Sequence, residues 1–66
     1  MWTGERIKAL RKSYDETQAE FSRRIGVSIQ ALRVWEQDQG HPLGPTCILL
    51  GILEEGIRDK GLQPVE

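Results

Sequence analysis

The chain has 66 residues, with nine basic and ten acidic side chains, a net charge of -1 and one cysteine. A single domain of this size buries only about 60% of the surface its unfolded form exposes, and with Cys47 alone neither a disulfide framework nor a cysteine-rich zinc site is available within one subunit. No apolar run approaches the ~20 residues of a membrane span and no basic segment precedes a long apolar stretch at the N-terminus, so the expected protein is soluble and cytoplasmic.

Thr3 is placed to cap a first helix over about Gly4 to Ser13, with Glu5 in the first turn and Ile7, Leu10 and Tyr14 at helical spacing. Trp2 and Ile7 stand in hydrophobic-staple positions, which assigns Trp2 to packing. Asp15-Glu16 reads as a loop. Thr17-Gln18-Ala19-Glu20 is a capping box that opens a second helix ending at Gly26, where the chain reverses and a residue tolerant of positive φ is favoured. Ser22 is small where the second and third helices come closest. Ser28 caps that third helix, with Val27 and Leu32 as its staple, and the helix runs to about Gln37. Across Gln18 to Gln37 the apolar residues Phe21, Ile25, Val27, Leu32 and Trp35 form an interior pattern for two crossed helices.

Asp38 to Gly44 holds two further glycines and Pro42 and is expected to be loop. Pro45 suits the first turn of a fourth helix that ends before Gly56. This helix carries more apolar residues than one contact face requires: Ile48, Leu49, Ile52 and Leu53 form one stripe, while Leu50 and Ile57 point elsewhere. The surplus fits a helix buried on two sides of a small core and equally a dimer seam, and both can hold in one short chain. The candidate seam is Leu49, Leu50, Ile52, Leu53 and Ile57. Cys47, inside an apolar run, reads as a small buried hydrophobe. Residues 1–57 are assigned to one all-α domain of short helices, and 58–66 to a tail without a clear pattern.

The net charge conceals an asymmetry. Residues 1–33 hold seven basic against four acidic side chains, a net of +3, whereas 34–66 hold two against six, a net of -4. The modestly basic half carries the third helix. An enzyme is not expected: there is no glycine-rich phosphate loop, no cluster of metal ligands and no nucleophile triad, and no cofactor is implied. The pairs Asp15-Glu16 and Glu54-Glu55 read as solvated helix ends.

With Arg11, Gln18, Gly26, Ser28, Trp35-Glu36 and Pro42 in this order, the chain resembles the Cro/repressor-type helix-turn-helix family, also called the xenobiotic-response-element family, over residues 4 to 55. The resemblance implies a compact lambda-repressor-like bundle of four to five short helices that binds palindromic double-stranded DNA as a homodimer, with the third helix in the major groove. It assigns base reading to Ser28, Ile29, Gln30, Arg33 and Val34. Gln30 can match the N6 and N7 edge of adenine, Arg33 the O6 and N7 acceptors of guanine, and Ile29 and Val34 thymine methyl groups. Phosphate contacts fall to Thr17 and Gln18 at the start of the second helix, and to Gln37, Gln39 and His41 after the third.

Arg11 and Glu36 are implied to pair across the first and third helices. Two departures from the family pattern stand out: Ser22 in place of alanine, and Asp38 in place of the glycine that usually follows Trp-Glu-Gln. The expected function is a transcriptional repressor, bacterial or phage-encoded, acting on its own or a neighbouring promoter by occluding RNA polymerase. The rival is a protein-interaction module, such as an antitoxin that binds a partner protein through the Cys47 to Leu53 helix or the tail.

Overall fold

In the computed structural model, which describes residues 1–59, the local signals become four helices: α1 (Gly4–Ser13), α2 (Gln18–Ile25), α3 (Ile29–Glu36) and α4 (Gly44–Asp59). The three N-caps work as the sequence specifies. Thr3, Thr17 and Ser28 have extended backbones, and their side-chain oxygens accept from the N–H groups of Arg6, Glu20 and Ala31. The capping box closes with the Thr17 N–H donating to Glu20 Oε1 at 2.9 Å and the Glu20 N–H donating to Thr17 Oγ1 at 3.1 Å.

The first three helices end by one device. A residue of positive φ, Asp15 (55°), Gly26 (72°) or Asp38 (58°), turns the chain out of the helix. Around each, two hydrogen bonds satisfy the last free carbonyls: Asp15 N to Lys12 O and Glu16 N to Arg11 O, Gly26 N to Arg23 O and Val27 N to Ser22 O, Asp38 N to Trp35 O and Gln39 N to Val34 O. This is the Schellman pattern. Glycine adopts positive φ without penalty, while aspartate is among the few other residues that reach it at modest cost. Asp38 therefore takes the conformation a glycine would take, and α3 ends at Glu36 with Gln37 as its C-cap.

Asp38 does more than turn. Its Oδ1 accepts from the Gly4 N–H at 2.8 Å, which fastens the start of α1 to the end of α3. The two elements lie so close that a Cβ at Gly4 would stand 2.5 Å from the Glu36 carbonyl oxygen.

The core joins Trp2, Ile7 and Leu10 to Phe21, Ile25, Leu32, Leu50 and Ile57. Ile7, Phe21, Leu32 and Leu50 are wholly inaccessible, so this small interior draws on all four helices. The staple residues all serve this core: Trp2, Ile7 and Leu32 are buried in it and Val27 packs at its edge. Trp35, expected inside, is half-buried at that edge, because Glu36 and Leu32 occupy the inward side of α3.

The fourth helix corrects two expectations. It continues through Gly56 to Asp59, because Ile57 is drawn into the core and the missing side chain at Gly56 leaves room for Tyr14. The Tyr14 hydroxyl donates to the Leu53 carbonyl at 2.7 Å. Leu50 and Ile57 are not seam residues, since both are buried where α4 packs on α1 and α2. The stretch assigned to a tail begins within α4, at Arg58 and Asp59, and its remainder, 60–66, lies outside the described residues. Glu16 and Glu54 are also not solvated ends: Glu16 binds Arg24 through two hydrogen bonds of 2.8 Å, and Glu54 binds Arg6 at 2.7 and 3.2 Å.

Candidate nucleic-acid interface

Four outward positions of the α3 segment, Gln30, Arg33, Val34 and Gln37, are exposed and recur at i, i+3, i+4 and i+7, the spacing of one helical face. The opposite face holds buried Leu32 and Glu36. Eight helical residues span about 12 Å, close to the width of the major groove. Ser28 is exposed at the start of this face, but its hydroxyl accepts from the Ala31 N–H at 3.1 Å. Ile29 is half-buried. Val34 is 36% exposed and also covers the following loop, where a Cβ at Gly40 would come within 2.9 Å of Val34 Cγ1. Gln30, Arg33 and Gln37 are thus the long polar side chains that project from the face.

A buried ion pair holds this helix in place. Glu36 accepts from Arg11 Nε at 2.8 Å and from Arg11 Nη2 at 3.1 Å, with side-chain exposures of 2% for Glu36 and 14% for Arg11. Arg11 Nη1 donates to the Glu16 carbonyl at 3.0 Å. Gln18 Nε2 adds a third donor to the same carboxylate at 3.1 Å, and Arg33 Nε donates to Gln18 Oε1 at 3.4 Å. A planar guanidinium and a carboxylate that both have further partners form the kind of buried pair whose geometry repays its desolvation. The chain of contacts ties α1, the start of α2 and the exposed face of α3 together.

This arrangement adds to the part assigned to Gln18. Its amide has Glu36 on the nitrogen and Arg33 on the oxygen, and the second N–H of its NH2 group has no partner among the described residues. The backbone N–H groups of Gln18 and Ala19 do remain without a partner among the described residues, and they lie at the positive end of the α2 dipole. Thr17 is exposed, with its hydroxyl in the capping box. Glu20 is held below the usual carboxylate range, first by the hydrogen bond from the Thr17 N–H and then by that from the Thr17 hydroxyl. Gln37, Gln39 and His41 are exposed beyond the far end of α3. His41 also borders an apolar cavity of about 510 Å³ lined with Met1, Trp2, Pro42 and Cys47.

The cations are unevenly committed. Arg6, Arg11, Arg24 and Arg58 are paired with carboxylates, whereas Lys8, Lys12, Arg23 and Arg33 carry no carboxylate partner among the described residues. Arg6 lies 3.9 Å from the centre of the Trp2 ring and Arg24 lies 4.8 Å from that of Tyr14. Pairing with Glu54 and Glu16 respectively raises both guanidinium pKa values above their ordinary one.

Sequence reasoning missed two contacts that hold this interface. Asp38 was legible as a departure from glycine, but its bond to Gly4 spans 34 positions of sequence. The Gln18 bridge likewise needs α2 and α3 to be docked.

No described helix is long and apolar enough to cross a membrane, and the described residues contain no group of three or more His, Cys, Asp or Glu that could hold a metal ion. Comparison with known proteins matches a helix-turn-helix family model over residues 7–51, well over half of the chain. No curated protein and no solved structure matches it. The matched segment contains α2, the Gly26 turn and α3, with the ion pair that braces them. The chain belongs to the Cro/repressor-type helix-turn-helix family and is a DNA-binding regulator.

Proposed function

We propose that the protein is a sequence-specific transcriptional repressor that binds a palindromic operator as a homodimer and regulates its own or a neighbouring promoter in a bacterial or phage-infected cytoplasm. The observation that carries this reading is the exposed Gln30, Arg33, Val34 and Gln37 face on a helix braced from behind by Arg11 and Glu36. Such a face enters the major groove as one body. Gln30 takes the adenine edge, Arg33 the guanine acceptors, Val34 and the exposed part of Ile29 thymine methyl groups, and Ser28 the groove wall. The free N–H groups at the start of α2 meet one phosphate, while Gln37, Gln39 and His41 meet the backbone beyond α3.

Two such helices in a dimer address half-sites about one helical turn, roughly 34 Å, apart. Of the seam first considered on α4, Ile52 is 61% exposed, Leu49 and Leu53 are half-buried, and Ile48, one turn before Ile52, is 67% exposed. Ile48 and Ile52 are therefore the seam residues we assign. Bound across a promoter, the dimer excludes RNA polymerase, and protein concentration sets occupancy through the dimer equilibrium.

Selection of bound duplexes from random DNA, run in parallel with Gln30→Ala, tests this reading. The expected product is a two-fold symmetric site. Gln30→Ala lowers affinity for it by about 1–3 kcal/mol and relaxes base choice at one position per half-site. A protein that enriches no duplex at low salt, where phosphate contacts alone register, is not a DNA reader. In that case Ile48 and Ile52 become the surface for a partner protein, as in an antitoxin.

A further inference from the structure

We infer that Gln18 is a positioning residue for base recognition, which holds Arg33 with its terminal nitrogens directed outward so that Arg33 reads guanine. This deepens the reading of α3 as the DNA-reading helix and rests on it. Ionised Glu36 can only accept hydrogen bonds, and its side chain is almost fully buried. The Gln18 NH2 must therefore face Glu36, as it does at 3.1 Å. That fixes the orientation of the amide: its oxygen, which can only accept, points away from the carboxylate toward the exposed face.

Arg33 Nε donates to this oxygen at 3.4 Å. With Nε engaged, Nη1 and Nη2 have no partner among the described residues and offer a fork. Guanine presents two acceptors, O6 and N7, on its major-groove edge, and a guanidinium fork binds both at once. An exposed arginine without a tether must first lose the rotamer freedom of a long side chain, whereas Arg33 is already steered by a contact that leads back to the buried Arg11 and Glu36 pair. A lysine at position 33 or a shorter residue at position 18 could not make this arrangement. A phosphate contact through the backbone N–H of Gln18 survives any side chain except proline, and one through its second amide N–H acts alike on every duplex, so the two roles are separable by substitution.

The test uses the full chain and the duplex it selects from random DNA, together with duplexes in which each guanine of a half-site is replaced in turn. Affinity ratios are measured for the wild type, Arg33→Ala, Gln18→Met, Gln18→Ala and the Gln18→Met/Arg33→Ala double variant. Each ratio is taken within one preparation, so it does not depend on the fraction of a variant that is folded. The wild type is expected to discriminate by about 5- to 150-fold at one guanine per half-site. Arg33→Ala brings that ratio near one. Gln18→Met, which keeps length but neither donates nor accepts as an amide does, removes most of the same discrimination, and the double variant goes no further. Equal weakening on every duplex with the ratio retained, or a ratio untouched by Arg33→Ala, overturns the assignment of Gln18. Failure of the wild type to enrich any duplex overturns instead the DNA-reading assignment beneath it.

Discussion

Replacing Gly4 by alanine should destabilise the domain, against the usual sign of such a change in a helix. At an open helical position the substitution adds about 0.5–1 kcal/mol of stability, because glycine loses more backbone entropy on folding. At Gly4 the new Cβ would stand 2.5 Å from the Glu36 carbonyl oxygen, 2.7 Å from that of Trp35 and 2.8 Å from the Glu36 carbonyl carbon. All three are backbone atoms, so no side chain can swing aside. Either α1 lifts off the end of α3 and weakens the 2.8 Å bond from the Gly4 N–H to Asp38, or the last turn of α3 deforms.

Overpacking costs about 1–3 kcal/mol, and contact with unyielding backbone places Gly4 at the upper end, which leaves a net loss of about 2 kcal/mol after the propensity gain. In a domain of this length that corresponds to a fall in Tm of roughly 8–16 °C. Gly51 in α4 is the matched control, because a Cβ there meets nothing within 4 Å. Gly51→Ala should raise Tm by several degrees, following a gain of about 1 kcal/mol. Thermal melts followed by far-UV circular dichroism, on both variants and the wild type, decide the matter. A Tm that rises in Gly4→Ala as it does in Gly51→Ala would refute the close approach of α1 to α3.

Arg11→Ala leaves Glu36 buried with only Gln18 as a partner, and should cost about 3 kcal/mol in urea unfolding; a loss below about 1 kcal/mol would mean that the pair is not buried. Asp15→Gly should add about 1 kcal/mol, because the exposed Asp15 holds φ 55° at a helix end where glycine carries no penalty; unchanged stability would argue against the left-handed turn there. Glu54 is held below its ordinary value of 4.5, chiefly by the hydrogen bonds from Arg6. A depressed carboxyl stabilises the fold above its unfolded pKa and loses that effect as pH falls through the folded one. The difference in stability between wild type and Glu54→Gln, about 0.5 kcal/mol for a partly exposed pair, should be complete at neutral pH and vanish in acid, as read from melts across that range. A difference that grows toward acid would reverse the sign.

What the sequence determined by itself was the set of local decisions. Thr3, Thr17 and Ser28 marked where helices begin, Gly26 marked a turn, and the spacing of Phe21, Ile25, Leu32 and their neighbours marked which faces turn inward. Each depends on residues within a few positions of one another, where capping, left-handed φ and helical periodicity act. The outward face of α3 followed, since the side of a helix away from its apolar stripe is known once the stripe is known.

Tertiary structure decided whatever depends on partners distant in sequence. Glycine is a frequent helix end, so Gly56 read as a stop; only the docking of Tyr14 and the burial of Ile57 carry α4 past it. An apolar helix does not announce which of its residues serve the core, and Leu50 and Ile57 were assigned to that side only when α4 met α1 and α2, leaving Ile48 and Ile52 outside. A glutamine at a helix start does not announce that a buried carboxylate 18 positions away takes one N–H of its amide. Composition, caps and periodicity constrain each segment alone, whereas the pairing of Gln18 with Glu36, Asp38 with Gly4 and Tyr14 with Leu53 exists only once the helices are packed.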